Sequence, residues 1–149
     1  MTGSDYTKQM ETVVKRTIKE NELEAFEEYW DLSRELIAEL PVRAFYVVAD
    51  EGYGNLAIIT DRSIIDIEAD DDDDDLGYIS VTTIESIAKV HFRAGPVPTI
   101  PDSEDAQLTI ILSIAGAAGS GPYWIAETDA EYQHLTRFGA ALMSAINGH

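Results

Sequence analysis

Hydrophobic positions along this chain change their spacing from a helical period to an alternating one and back again, and each change marks a boundary between elements. From Thr7 to Ile18 the apolar residues Met10, Val13, Val14 and Ile18 recur at helical spacing and predict a short first helix. Asn21 interrupts it. With Glu24 three residues on, Asn21 fits the N-cap of a second helix, in which Leu23, Phe26, Trp30, Ser33, Ile37 and Leu40 recur at steps of three and four. These residues form a seam one helix face wide. Pro41 ends it, because proline has no amide hydrogen to donate and biases the preceding residue toward extended backbone.

Beyond Pro41 the period shortens to two. Arg43 to Ala49, rich in aromatic and β-branched residues, predicts a first strand that ends in the turn segment Asp50 to Asn55. Leu56 to Thr60 is a second strand. Asp61-Arg62 turns tightly into Ser63 to Glu68, where Ile65 and Ile67 alternate with Asp66 and Glu68, predicting one face in a core and one in water. An aspartate run follows as a loop. Gly77 to Val81 and Ala88 to Arg93 predict two further strands, with a turn or single helical turn over Thr83 to Ile87 between them. Gly95, Pro96, Pro98 and Pro101 predict a long loop, and Gln107 to Ile114 with Pro122 to Glu127 a last hairpin. The final helix spans Asp129 to Asn147: Thr128 and Glu131 stand at capping-box spacing, and Tyr132, Leu135, Phe138, Leu142 and Ile146 share one face.

This order of strands closed by one amphipathic helix resembles the pleckstrin-homology-like superfamily, most closely its bacterial and GRAM-like members, over roughly Val42 to Asn147. The most telling stretch is Leu56-Ala57-Ile58-Ile59-Thr60-Asp61-Arg62-Ser63-Ile64-Ile65-Asp66-Ile67, which looks like the strand, Thr-Asp-Arg turn and strand common in those domains. The resemblance implies an α+β, mainly β chain: a small barrel of about seven antiparallel strands with a C-terminal capping helix over residues 42–149, preceded by an N-terminal helical extension over residues 1–41. Two departures bear on function. Lipid-binding members carry Lys and Arg in the first hairpin loop, where this chain has Asp50 to Asn55 and no base; and Trp124 lies in the last strand, whereas many members place a Trp in the closing helix.

Charge narrows the partners. Against 10 basic residues stand 28 acidic ones, a formal net charge of -18, which repels phosphate backbones and anionic headgroups. Nucleic acid and membrane are therefore not expected as partners; the acidity reads as a solubility surface or as adaptation to a salt-rich cytoplasm, with a basic protein or peptide as the alternative. The 149 residues suit one domain, and the absence of cysteine excludes disulfides, thiolate catalysis and thiolate metal sites. The opening residues Met1 to Tyr6 lack the character of a signal peptide and no apolar run is long enough to cross a bilayer, so a cytoplasmic protein is expected.

Candidate chemistry is sparse. Asp70, Asp71, Asp72, Asp73, Asp74 and Asp75 repel one another and would be relieved by a cation, which makes them the one candidate metal-binding segment. A calcium-hand loop begun at Asp72 places Gly77 correctly but puts Leu76 and Thr83 where acids belong, so only weak, unselective binding is expected. The glycine-rich segment Gly116 to Gly121 is followed by Pro122 rather than the lysine of a phosphate loop, and Ala118 breaks the nucleophile-elbow pattern around Ser120. His91, His134 and His149 lack the spacing of a helical metal pair. No catalytic residue and no cofactor is indicated. The expected function is a non-enzymatic binding or scaffold domain for protein or peptide. The alternatives are an enzyme or small-ligand binder with a pocket between the N-terminal helices and the barrel, and a self-association module dimerising through the Leu23 to Leu40 seam.

Overall fold

The computed structural model describes residues 3–38, 40–50, 52–70, 77–97, 107–116 and 119–148. The chain divides into two compact units, Met1–Ile84 and Glu85–His149. In the first, helices α1 (Gly3–Asn21) and α2 (Glu24–Ile37) precede strands β1 (Ala44–Asp50), β2 (Tyr53–Ile59), β3 (Ser63–Asp70) and β4 (Gly77–Thr83). The second holds β5 (Ile87–Val97), β6 (Gln107–Gly116), β7 (Gly119–Ala126) and α3 (Asp129–Asn147). The mixed α and β class and the antiparallel strands are as the sequence predicts, but the closed barrel is not. The ladders form two separate sheets, ordered β1-β2-β3-β4 and β5-β6-β7. A 3-10 turn over Ile84–Ser86 follows β4, and Ile84 N–H donates to Arg62 O at 2.8 Å, which draws the chain back toward the start of β3.

The junction between the helices departs from the predicted N-cap. Asn21 is the last residue of α1, and its Nδ2 donates to Thr17 O at 2.9 Å instead of capping α2. Glu22 takes φ 52, and Leu23 N–H reaches back to Ile18 O at 3.2 Å, the pattern of a Schellman helix end with glutamate where glycine is usual. Leu23 stands at the start of α2 without a side-chain cap, and it is fully buried. Burying its apolar area has prevailed over a polar cap.

Met10, Val14 and Ile18 of α1 join Leu23, Phe26, Trp30 and Ile37 in one core with Leu56, Ile58, Ile65 and Ile67 of the sheet. The N-terminal helices thus pack on the strands of their own chain. Leu40, placed in the same seam by its spacing, lies past the end of α2 and is exposed. The helices seat in a trough of small residues. Ala49, Gly54, Ala69 and Gly77 pair in register across all four strands. A Cβ on Gly54 would stand 2.9 Å from Phe26 Cγ, and one on Gly77 would stand 2.3 Å from Tyr29 Cε2.

Several strands run past their predicted ends. Asp50 pairs with Tyr53, and Gly52 takes φ 71. Strand β5 continues through Pro96 to Val97, where a loop was expected; it is an edge strand, and an edge tolerates a proline because one side of its backbone bonds no neighbour. The Thr60 to Ser63 turn is tied by Thr60 N–H to Ser63 O at 2.9 Å and by Ser63 N–H to Thr60 Oγ1 at 3.1 Å. Arg43 and Asp61 form an ion pair beside it. In the second unit the capping box of Thr128 and Glu131 begins α3, and Phe138 meets Trp124 edge to face at 5.2 Å. Among the described residues no helix is long and apolar enough to cross a membrane.

Candidate functional site

Of the predicted metal segment, Asp70 ends β3 opposite Tyr53, while Asp71 to Asp75 lie outside the described residues. Among the described residues no group of three or more potential ligands could hold a metal ion. His91 is exposed on β5, His134 is half-buried on α3, and His149 lies outside the described residues. The glycine-rich segment is a hairpin: Gly116 pairs with Gly119 and Ser120 pairs with Ala115. The histidines are dispersed over different elements, and the glycines are used by the ladder.

Polar chemistry gathers elsewhere. Asp66, expected to face water, is buried, as is Asn55, expected in a turn. Asn55 Nδ2 donates to Asp66 Oδ1 at 3.0 Å and to Ile67 O at 3.1 Å, and the Tyr78 hydroxyl donates to Asp66 Oδ2 at 3.2 Å. Tyr78 also hydrogen-bonds Glu68. Burial first, then the charge of Glu68, holds the Tyr53 hydroxyl well above the ordinary tyrosine range. Tyr78 is raised too, again by burial and then by its bond to Glu68. The cluster links β2, β3 and β4, and both carboxylate oxygens of Asp66 are engaged. These contacts suit a cross-strand clamp. Alternation along β3 signals which side chains share a face, but not that this second face is buried.

Two other places are open. The first is the flank of α2 beside β4. Tyr29 meets Gly77, and one and two turns further along α2 lie Leu32 and Leu36, 56% and 64% exposed. On β4 itself, Val81 shares a face with Gly77 and Ile79 and is 63% exposed. The second is a cleft of about 750 Å³ where the end of α1 meets the start of α2. Its lining includes Ile18, Leu23 and Trp30, and the Trp30 Nε1 is buried with no hydrogen-bond partner.

Comparison of the chain with protein-family models, curated proteins and solved structures gave no match.

Proposed function

We propose that this chain is a cytoplasmic, non-enzymatic binding domain of pleckstrin-homology-like element order, and that it takes an extended, basic segment of a partner protein along β4. The observation that supports this reading is the character of that edge. β4 ends the first sheet, and its sequence Gly-Tyr-Ile-Ser-Val-Thr-Thr carries no charge, no proline and no break in its register with β3. Edge strands are ordinarily blunted by such devices, because an open row of amides and carbonyls recruits another strand. β5, by contrast, holds Lys89, Arg93, Pro96 and an irregularity between Ile87 and Lys89.

The α2 flank supplies side-chain selectivity to match. Leu32 and Leu36 offer apolar contact, and Glu28 and Glu35 border them, so alternating apolar and basic residues on the incoming strand fit the stripe. The net charge of -18 favours such a partner over a second copy of the chain.

Nitrogen-labelled protein titrated with an extended peptide of alternating valine and lysine tests the reading. Resonance shifts and slowed amide exchange are expected along β4, weakening with salt and disappearing in the Leu32→Ser/Leu36→Ser variant. Shifts that spare β4, or equal binding of a valine and glutamate peptide, would overturn it. Shifts on β4 that grow with protein concentration alone would replace it with self-association.

A further inference from the structure

The direction in which each residue of β4 turns its backbone is fixed by its neighbours. Continued one step beyond Ser63 and Thr83, the register of β3 with β4 sets Arg62 opposite Ile84, and Ile84 N–H donates to Arg62 O at 2.8 Å. In an antiparallel ladder the backbone groups turn toward the neighbouring strand at every second residue. Tyr78, Ser80 and Thr82 therefore face β3, and Gly77, Ile79 and Val81 turn their amides and carbonyls to the open edge. The other side of β3 agrees. Thr60 N–H donates to Ser63 O at 2.9 Å, so the odd-numbered residues of β3 serve β2 and the even-numbered ones serve β4. Among the described residues, Gly77, Ile79 and Val81 have no hydrogen bond on the open side.

Side chains alternate with the same period, so the two alternations are locked together. Ile79 packs on the core that α2 shares, and Tyr29 of α2 covers Gly77. Val81 lies on that same face and is exposed, as are Leu32 and Leu36. Tyr78 lies on the opposite face, where its hydroxyl meets Asp66 and Glu68. The residues with open backbone groups are thus the ones whose side chains lie on the α2 side.

A strand arriving antiparallel sets one residue directly opposite Ile79 and another opposite Val81, and each exchanges both backbone bonds with the residue it faces. Their side chains fall on the α2 side, toward Val81, Leu32 and Leu36. The residues between them turn their backbone to water and their side chains to the face of Tyr78 and Glu68. A parallel strand reverses the assignment: the residue opposite Ile79 turns its backbone away, and its two neighbours make the bonds. The first sheet is antiparallel throughout, antiparallel pairing is the more stable per residue, and sheets tend to keep one type.

Resting on the reading of strand addition at β4, we infer that the partner segment runs antiparallel to β4 and that its apolar residues, not its basic ones, carry the backbone hydrogen bonds. The apolar row opposite Ile79 and Val81 serves the ladder and the α2 stripe together. The basic residues between them bond no backbone and reach across Tyr78 to Glu68, a carboxylate of their own besides those on α2.

The valine and lysine peptide is compared, on the nitrogen-labelled full chain, with one derivative N-methylated at its valines and one N-methylated at its lysines. N-methylation removes an amide donor and keeps the side chain. Methylated valines should weaken binding at least about tenfold, and methylated lysines less than about threefold. A nitroxide on the peptide's N-terminus should broaden the Val81 resonance more than that of Gly77, and one on its C-terminus the reverse. In the free chain the Ile79 and Val81 amides should exchange faster than those of Tyr78 and Ser80. Greater loss from methylated lysines, equal response of the two derivatives, the opposite broadening or slower exchange at Ile79 and Val81 would overturn the inference even with β4 still shifted by the parent peptide. A parent peptide that leaves β4 unshifted would overturn strand addition, and the inference with it.

Discussion

Replacing Gly54 with alanine tests the packing of the N-terminal helices at one atom. The new Cβ would stand 2.9 Å from Phe26 Cγ and 3.0 Å from Leu23 Cδ1, closer than carbon atoms pack, and both side chains are buried. Overpacking of this kind costs about 1 to 3 kcal/mol. Against it stands the smaller entropy loss of alanine on folding, about 0.5 to 1 kcal/mol, which applies because Gly54 does not occupy the left-handed region. A net loss of about 1 to 2 kcal/mol is expected. Gly77→Ala makes an instructive contrast, since its Cβ would meet Tyr29 at only 2.3 Å. That contact is with the far end of a half-buried ring that can swing outward, so the shorter distance should give the smaller loss. Urea unfolding followed by circular dichroism measures both. In a double-mutant cycle, Phe26→Leu should recover part of the Gly54→Ala loss, a coupling of at least about 0.5 kcal/mol. Equal or greater stability of Gly54→Ala, or no coupling to Phe26, would refute a trough that seats α2.

Other perturbations follow from the same geometry. Trp30→Ala should cost about 3 to 5 kcal/mol at every protein concentration, and a loss that grows on dilution in ultracentrifugation would instead place Trp30 between two chains. Asp66→Ala removes an acceptor from Asn55 and one from Tyr78, and should lower unfolding free energy by about 1 to 3 kcal/mol; an unchanged urea midpoint would show the clamp to be dispensable. Glu22→Gly relieves a left-handed glutamate and should stabilise the chain by up to about 1 kcal/mol, read as a raised melting temperature. Tyr53 stays neutral in the folded chain at a pH where an unfolded tyrosine ionises. Its contribution is therefore intact below about pH 10 and lost as pH climbs beyond that, and Tyr53→Phe should flatten the alkaline fall in melting temperature.

What could be read from sequence was local. Thr128 and Glu131 announce α3 because a capping box is satisfied within one turn, and the Thr60 to Ser63 turn is likewise self-contained. Asn21 misleads for a physical reason: its side chain had two backbone partners within reach, and the burial of Leu23 settled which helix it serves. The start of β2 was read short, past Gly54, since glycine normally marks turns, whereas here it clears space for Phe26. The candidate surfaces were the least legible. Leu32 and Leu36 fall outside the Leu23 to Ile37 seam, and nothing in a spacing rule tells an unused apolar stripe from ordinary surface. The unsatisfied Trp30 N–H depends on every neighbour in three dimensions, so no linear pattern could signal it.

The plain meander of β1 to β4, each strand bonded to the next in sequence, also sets an order of assembly. Sequential hairpins close short loops, so each ladder can form as soon as its second strand is present. The helices are in the opposite position. Phe26 and Trp30 precede the strands that bury them and must wait, apolar side outward, until β2 and β3 have paired. During that interval the surplus of acidic residues sets one nascent chain against another, so the charge that keeps the finished protein apart from its copies also protects the unfinished one.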